Sequence, residues 1–252
     1  MIIEEQIEKM KEIQDKLLKF FEGDSNDEEN FENVQKILFN QKITYDKHKL
    51  LSFLQLINEI SNNHHRNSNF ISKNERILLD IKKEITKKLS NSEIFEIFKN
   101  NKIILLFLIQ NQLLNIDEFI MIRIINDKYI RRQYLHYFSP EIKPFLTKEF
   151  ISKHLCSNFN FELIDKIEKE VSEDFEEKRS KGENESYLCK LIRADKLNEF
   201  VEYMNKNNLS LDSCIPESIF ETNFLLLKHK EIKIIEYASF YGSFNIIKYL
   251  VS

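Results

Sequence analysis

Near the C-terminal end a single glycine, Gly242, separates two short apolar stripes, and this restricts the stretch Ile234–Val251 to a helical hairpin. Ile235, Ala238 and Ser239 stand at i, i+3 and i+4, on one face of a helix. Gly242 supplies the left-handed backbone that ends a helix without a Cβ clash. A second stripe follows at Ile246, Ile247, Leu250 and Val251. Two helices this short cannot bury their apolar faces against each other alone, so the hairpin requires a neighbour of its own kind.

The rest of the chain points to the same class. Three glycines and three prolines among 252 residues leave few of the positions on which hairpins and tight turns depend. The expectation is an all-α protein with little or no β structure. A charged fraction of 31% beside a hydrophobic fraction of 42% fits a folded chain rather than a disordered one. The net charge of -4 argues against nucleic acid as the main partner, because phosphate binding needs a basic surplus. Cys156, Cys189 and Cys214 are odd in number and far apart, which suits a reduced, cytoplasmic setting. The first residues turn acidic at once, unlike a signal peptide, and the longest apolar run, Ile103 to Ile109, is too short to cross a membrane.

Read in order, the spacing predicts a helix over 2–22 ended by Gly23, one around Phe31, Val34, Ile37 and Leu38, and one capped by Thr44 that carries Leu50 to Ile60. Ser72 and Glu75 match a capping box that opens a helix bearing Ile77, Leu78, Ile81 and Ile85. Shorter helices are expected after Ser92, Asn101 and Asp117, then over 128–138 up to Pro140, after Thr147, and from Phe161 to Lys178 on a stripe of Leu163, Ile167, Val171 and Phe175. The polar run 176–185 around Gly182 is the best boundary, dividing an N-terminal helical region, 1–182, from a C-terminal region, 183–252.

The C-terminal hairpin has a poorer copy upstream. Leu188 falls on Ile235, Leu191 on Ala238, Asp195 on Gly242, Phe200 on Ile247 and Met204 on Val251. A fainter third copy begins at Ile94, Ile97 and Phe98, and helix pairs of this kind stack into an αα-hairpin solenoid. The spacing of the last hairpin resembles that of an ankyrin repeat, in which T-P-L-H-x-A-A leads through a glycine into a second helix. The last 70 residues or so resemble a domain of unknown function associated with ankyrin repeats in parasitic flagellate protists. The residues carrying this are Leu188–Arg193, Ile215–Asn223 and Ile235–Ser243. The resemblance implies degenerate ankyrin-like helix pairs without enzymatic activity. Leu188 to Ile235 spans 47 positions, against about 33 for an ordinary ankyrin repeat, the difference lying in a long insertion at 208–233. Lys233-Ile234-Ile235-Glu236 replaces T-P-L-H, so the hydroxyl and imidazole that tie successive loops are missing, and the stack is expected to be irregular.

Chemistry has few candidates. His64 and His65 are adjacent and point about 100° apart on a helix, and His154 with Cys156 makes only two ligands, so no metal is expected. Cys189 shares an apolar face with Leu188 and Ile192, where burial is the ordinary fate of a cysteine. No G-x-S-x-G, G-x-x-x-x-G-K or G-x-G-x-x-G occurs; neither an enzyme nor a cofactor is expected. Glu168, Glu170, Lys82-Lys83 and Lys87-Lys88 read as solvated helix faces. Arg131–Phe138 interleaves basic and aromatic residues, a pattern that can stack bases; the alternative is a packed helix face with wet arginines. The insertion lies where solenoids often bind. Glu221, Thr222 and Asn223 there, with Phe240 and Tyr241 on the hairpin, are the candidate partner-binding residues.

The expectation is therefore a protein-interaction module, a scaffold or adaptor, that binds an unknown protein partner and performs no chemistry. Its rival is a nucleic-acid binder acting through Arg131–Phe138. Ser252 follows the last stripe directly, with no polar capping repeat between, so further repeats or self-association are expected at that end.

Overall fold

The computed structural model describes residues 2–23, 27–63, 68–127, 131–154, 174–227 and 231–252. Their regular structure is helical, as the scarcity of glycine and proline predicts. Among these residues the β structure is a single bridge between Cys214 and Lys233. The chain divides into two compact units, Met1–Asn115 and Ile116–Ser252.

The first unit holds α1 (Ile2–Glu22), α2 (Glu28–Asn40), α3 (Lys47–Asn63), α4 (Ser68–Asp80), α5 (Lys82–Lys88), α6 (Asn91–Phe98) and α7 (Lys102–Gln110). α1 packs on α2 and α4, α3 on α4 and α6, and α7 on α4 and α6. Leu17, Phe20, Phe21, Leu54, Ile57, Leu78, Phe98 and Leu108 fill the space between them. Each such side chain removed from water contributes about 1.5–3 kcal/mol before entropy is counted. Phe21 stacks on Phe70 at 4.1 Å, and Phe20 meets Phe31 at 5.5 Å.

Three expected helix starts move. Asp46 rather than Thr44 caps α3, accepting from the His48 and Lys49 amides. α4 begins at Ser68, so Ser72 is interior and its hydroxyl donates to Asn69 O. Burial of Phe70 extends the apolar stripe backward and overrides the local capping signal. α6 is capped by Ser90, whose capping box with Glu93 satisfies two amides where Ser92 has no such partner. Gly23, Asn101 and Asp117 end or open helices as expected.

The second unit holds α8 (Glu118–Asn126), α9 (Arg131–Tyr137), α10 (Ser139–Ile142), a 3-10 turn (Lys143–Phe145), α11 (Lys148–His154), α12 (Phe175–Lys181), α13 (Tyr187–Arg193), α14 (Leu197–Lys206), α15 (Phe224–Leu227), α16 (Ile234–Tyr241) and α17 (Phe244–Val251). The expected stripe at Leu163, Ile167 and Val171, together with Glu168 and Glu170, lies outside the described residues. The boundary expected at 182 falls inside this unit. Residues 175–181 are helical, and Arg179 is buried, with Nη1 on the Glu141 carboxylate at 2.8 Å and Nη2 on Glu176 at 2.8 Å. The Tyr137 hydroxyl donates to Arg179 O at 3.0 Å. A polar run is not a linker when its charges have partners.

One device ends helices in both units. At Lys42, Gln112, Asp195, Asn208 and Gly242 the backbone is left-handed. At each, the following amide bonds back five residues: Ile43 to Leu38, Leu113 to Leu108, Lys196 to Leu191, Leu209 to Met204 and Ser243 to Ala238. This is the Schellman pattern, which usually takes glycine. Here glycine serves at one of these five positions. The alignment that laid Asp195 on Gly242 is matched in the backbone, with φ values of 49° and 69°.

Candidate interaction site at the base of the insertion

α13 and α14 form one hairpin, α16 and α17 a second, and they pack element on element: α13 against α16, α14 against α17. Leu188, Leu191, Ile192, Phe200, Met204, Ile234, Tyr237, Ala238 and Ile246 make the shared core. The two hairpins are tied to each other at their turns. Asp195 reaches across to the first turn of α17, accepting from the amides of Asn245 and Ile246, both at 3.1 Å. The Ser243 hydroxyl returns the contact, donating to Ile192 O at 2.6 Å. Two helix ends thus satisfy each other across the layer boundary, where each would otherwise leave orphan groups.

The insertion leaves from this stack and comes back to it. Ile215 N donates to Ile232 O and Ile234 N to Ser213 O, closing its base as a short antiparallel pair. Within it, the Glu221 carboxylate accepts from the amides of Thr222, Asn223 and Asn184. The Thr222 amide and hydroxyl both donate to Gly182 O, at 3.1 and 2.7 Å. Asn184 Nδ2 donates to Pro216 O. Phe220 meets Phe175 edge-on at 5.5 Å. Two candidates are therefore placed differently from the expectation: Glu221 and Thr222 are 4% and 8% exposed. They face inward because a carboxylate and a hydroxyl there satisfy loop amides and a carbonyl that would otherwise be buried without partners. Asn223 is half-buried and opens α15 through the Leu225 amide.

Tyr241 sits beside this clamp. Arg193 Nη1 donates to the Tyr237 hydroxyl at 2.6 Å and to Asn184 O at 2.9 Å, while its Nε meets Glu183 at 3.1 Å. The Tyr237 and Tyr241 rings lie 4.7 Å apart, and Phe240 stands edge-on to Tyr241 at 5.1 Å. Phe240 and Tyr241 are both half-buried. Burial pushes the Tyr237 and Tyr241 phenols up, beyond any physiological ionisation. Burial likewise pushes the Cys189 thiol up to about 11, despite hydrogen bonds with Ser186 and Tyr237 that favour the thiolate. A thiol held protonated is a poor nucleophile. Arg193 joins the Tyr237 hydroxyl of α16 to Asn184, whose amide is held in turn by the Glu221 carboxylate, and these groups form one polar lock.

Arg193, Asn184, Asp195 and Ser243 escape the sequence reading. For Asp195 a signal existed: it occupies the position of Gly242 in the internal copy, where a carboxylate is an unusual choice. Elsewhere, the aromatic part of the basic-aromatic stretch is core. Tyr134, Leu135, His136, Tyr137 and Phe138 are buried, with Phe138 at 5.3 Å from Tyr134 and 4.9 Å from Tyr137. Rings enclosed in this way offer no face for a base. His64, His65 and Cys156 lie outside the described residues. His154 packs on Phe150 at 4.7 Å and lies 3.0 Å from Glu118. Among the described residues no three His, Cys, Asp or Glu side chains gather as metal ligands, and no helix is long and apolar enough to cross a membrane. Compared with family models, curated proteins and solved structures, the chain matches none.

Proposed function

We propose that this chain is a non-enzymatic protein-interaction module, and that its C-terminal hairpins are a degenerate, ankyrin-like stack of the kind implied by the resemblance to the ankyrin-associated domain. The observation that carries the reading is the outward side of α17. Phe244 is 72% and Val251 67% exposed, with half-buried Ile247 between them at helical spacing. An apolar stripe at i, i+3 and i+7 on a rigid helix is the usual form of a helix-face docking site. The lock beneath it fixes α16 and the insertion, so little order would have to be gained on binding.

A separate protein partner suits this face better than another stitched hairpin. Gly242 stands where Asp195 provides the carboxylate for the layer above, and it has no side chain to offer. Free Cys189 and Cys214 accord with a reducing, cytoplasmic setting. The test is partner capture with the full chain and with a Phe244→Asp, Val251→Asp double variant, its fold monitored by circular dichroism. Recovery that withstands nuclease and raised salt, and is lost in the double variant, supports the reading. Recovery unchanged by the two aspartates, or abolished by nuclease, refutes it.

A further inference from the structure

The seven residues of α5 read KKEITKK, and the fold separates each lysine pair. Lys83 and Lys87 are exposed, as a solvated face predicts, but Lys82 and Lys88 are half-buried. Lys82 Nζ donates to Asn111 O at 2.6 Å, and Lys88 Nζ to Tyr45 O at 2.9 Å. Both acceptors belong to turns that reverse through a non-glycine left-handed residue, Gln112 in one and Lys42 in the other. Asn111 is the C-cap of α7, where unpaired carbonyls and the negative end of the helix dipole favour a cation. The turn at 41–45 is gripped a second time by Lys49 Nζ on Gln41 O at 2.9 Å. The turn at 111–114 keeps Leu113 and Leu114 buried and stands directly before the boundary between the two units.

We propose that α5 is a two-ended staple whose hold on both turns depends on the positive charge of Lys82 and Lys88, so that acylation of these amines releases the turns. The reactant is an activated acyl donor such as a thioester or an acyl phosphate. The neutral amine attacks the acyl carbonyl, a C–N bond forms, thiolate or phosphate leaves, and the amine proton passes to solvent. The product amide retains one N–H but no charge, and brings an acyl oxygen toward a carbonyl oxygen. A strong charge-assisted contact becomes a weak or repulsive one. Lys83 and Lys87 provide the internal control, since they lose the same charge from the same helix without touching either turn.

Amide hydrogen exchange on the full chain tests this with K82Q, K88Q, K83Q, K87Q, K82R and K88R. K82Q should speed exchange at Leu113 and Leu114 about tenfold, and K88Q should do so at Ile43 and Tyr45; a tenfold change corresponds to about 1.4 kcal/mol. K83Q, K87Q and both arginine variants should stay within about twofold of the parent, a spread that nonspecific surface-charge effects allow. Equal rates in K82Q and K83Q, or in K88Q and K87Q, overturn the staple. Should a glutamine variant fail to fold, folded parent protein acetylated with sulfosuccinimidyl acetate and sorted by mass spectrometry replaces it. Faster exchange confined to the fraction modified at Lys82 or Lys88 then supports the proposal, and equal exchange in all fractions overturns it.

Discussion

Replacing Asp195 by glycine sets two effects of opposite sign against each other. Asp195 is left-handed at φ 49°, a conformation that glycine adopts freely and that costs other residues roughly 1–2 kcal/mol, less for aspartate. Relief of that strain is offset by the greater freedom glycine has in the unfolded chain, about 0.5–1 kcal/mol, so the backbone contribution is close to zero. The carboxylate decides the sign. It accepts from Asn245 N, Ile246 N and Asn245 Nδ2 at 3.1, 3.1 and 2.9 Å. Ser243, the N-cap of α17, makes no capping bond, since its hydroxyl is committed to Ile192 O. Loss of a cap costs about 1 kcal/mol and loss of an anion at a helix N-terminus about 0.3–1 more, so Asp195→Gly should destabilise by about 1–2 kcal/mol. Asn208→Gly is the comparison: the same left-handed position, with no bond to a neighbouring hairpin, so the change should be within about 0.5 kcal/mol of zero. Urea denaturation followed by circular dichroism gives the stability, and amide exchange at Asn245 and Ile246 gives the location. An Asp195→Gly protein as stable as its parent, or unchanged exchange at those two amides, would refute the stitch.

Two other outcomes follow from charge and burial. Lys47, the Ser90 amide and the Ser90 hydroxyl hold the Glu93 carboxyl down, from an ordinary value of 4.5 to about 2. A depressed carboxylate stabilises the fold above its unfolded value and loses that contribution as pH falls toward its folded one. Glu93→Gln should therefore lower the urea midpoint at pH 7, with the deficit shrinking between pH about 4.5 and about 2; a deficit constant across that window would contradict the assignment. Iodoacetamide at neutral pH should label exposed Cys214 and spare buried Cys189, read by peptide mapping; equal labelling of the folded protein would mean that the lock around Tyr237 opens readily.

Helix positions were largely legible in the sequence because their apolar stripes repeat every three to four residues and survive as burial: Val34, Leu54, Ile57, Leu78 and Ile120 are almost fully enclosed. Helix starts were less legible. Thr44, Ser72 and Ser92 are competent caps, but Asp46, buried Phe70 and the Ser90–Glu93 pair compete more strongly. A cap is chosen by the packing around it as much as by its own side chain. The turns were obscured differently: glycine is the usual signal of a left-handed helix end, and the chain turns through Lys42, Gln112, Asp195 and Asn208 instead. Glu221 and Thr222 stand out as candidate partner-binding residues in the sequence, and in the structure the Glu221 carboxylate serves the chain's own amides and the Thr222 hydroxyl its Gly182 carbonyl. Nothing local in Ser218–Asn223 says that Gly182 and Asn184, some forty positions earlier, will be waiting for it.

The way the 208–233 excursion is fastened has a consequence for how this chain tolerates change in length. Its two ends are pinned side by side through Ile215 and Ile232, and its first half is pinned again through Glu221 and Thr222. Removing or adding a residue before Asn223 would pull those anchors out of register.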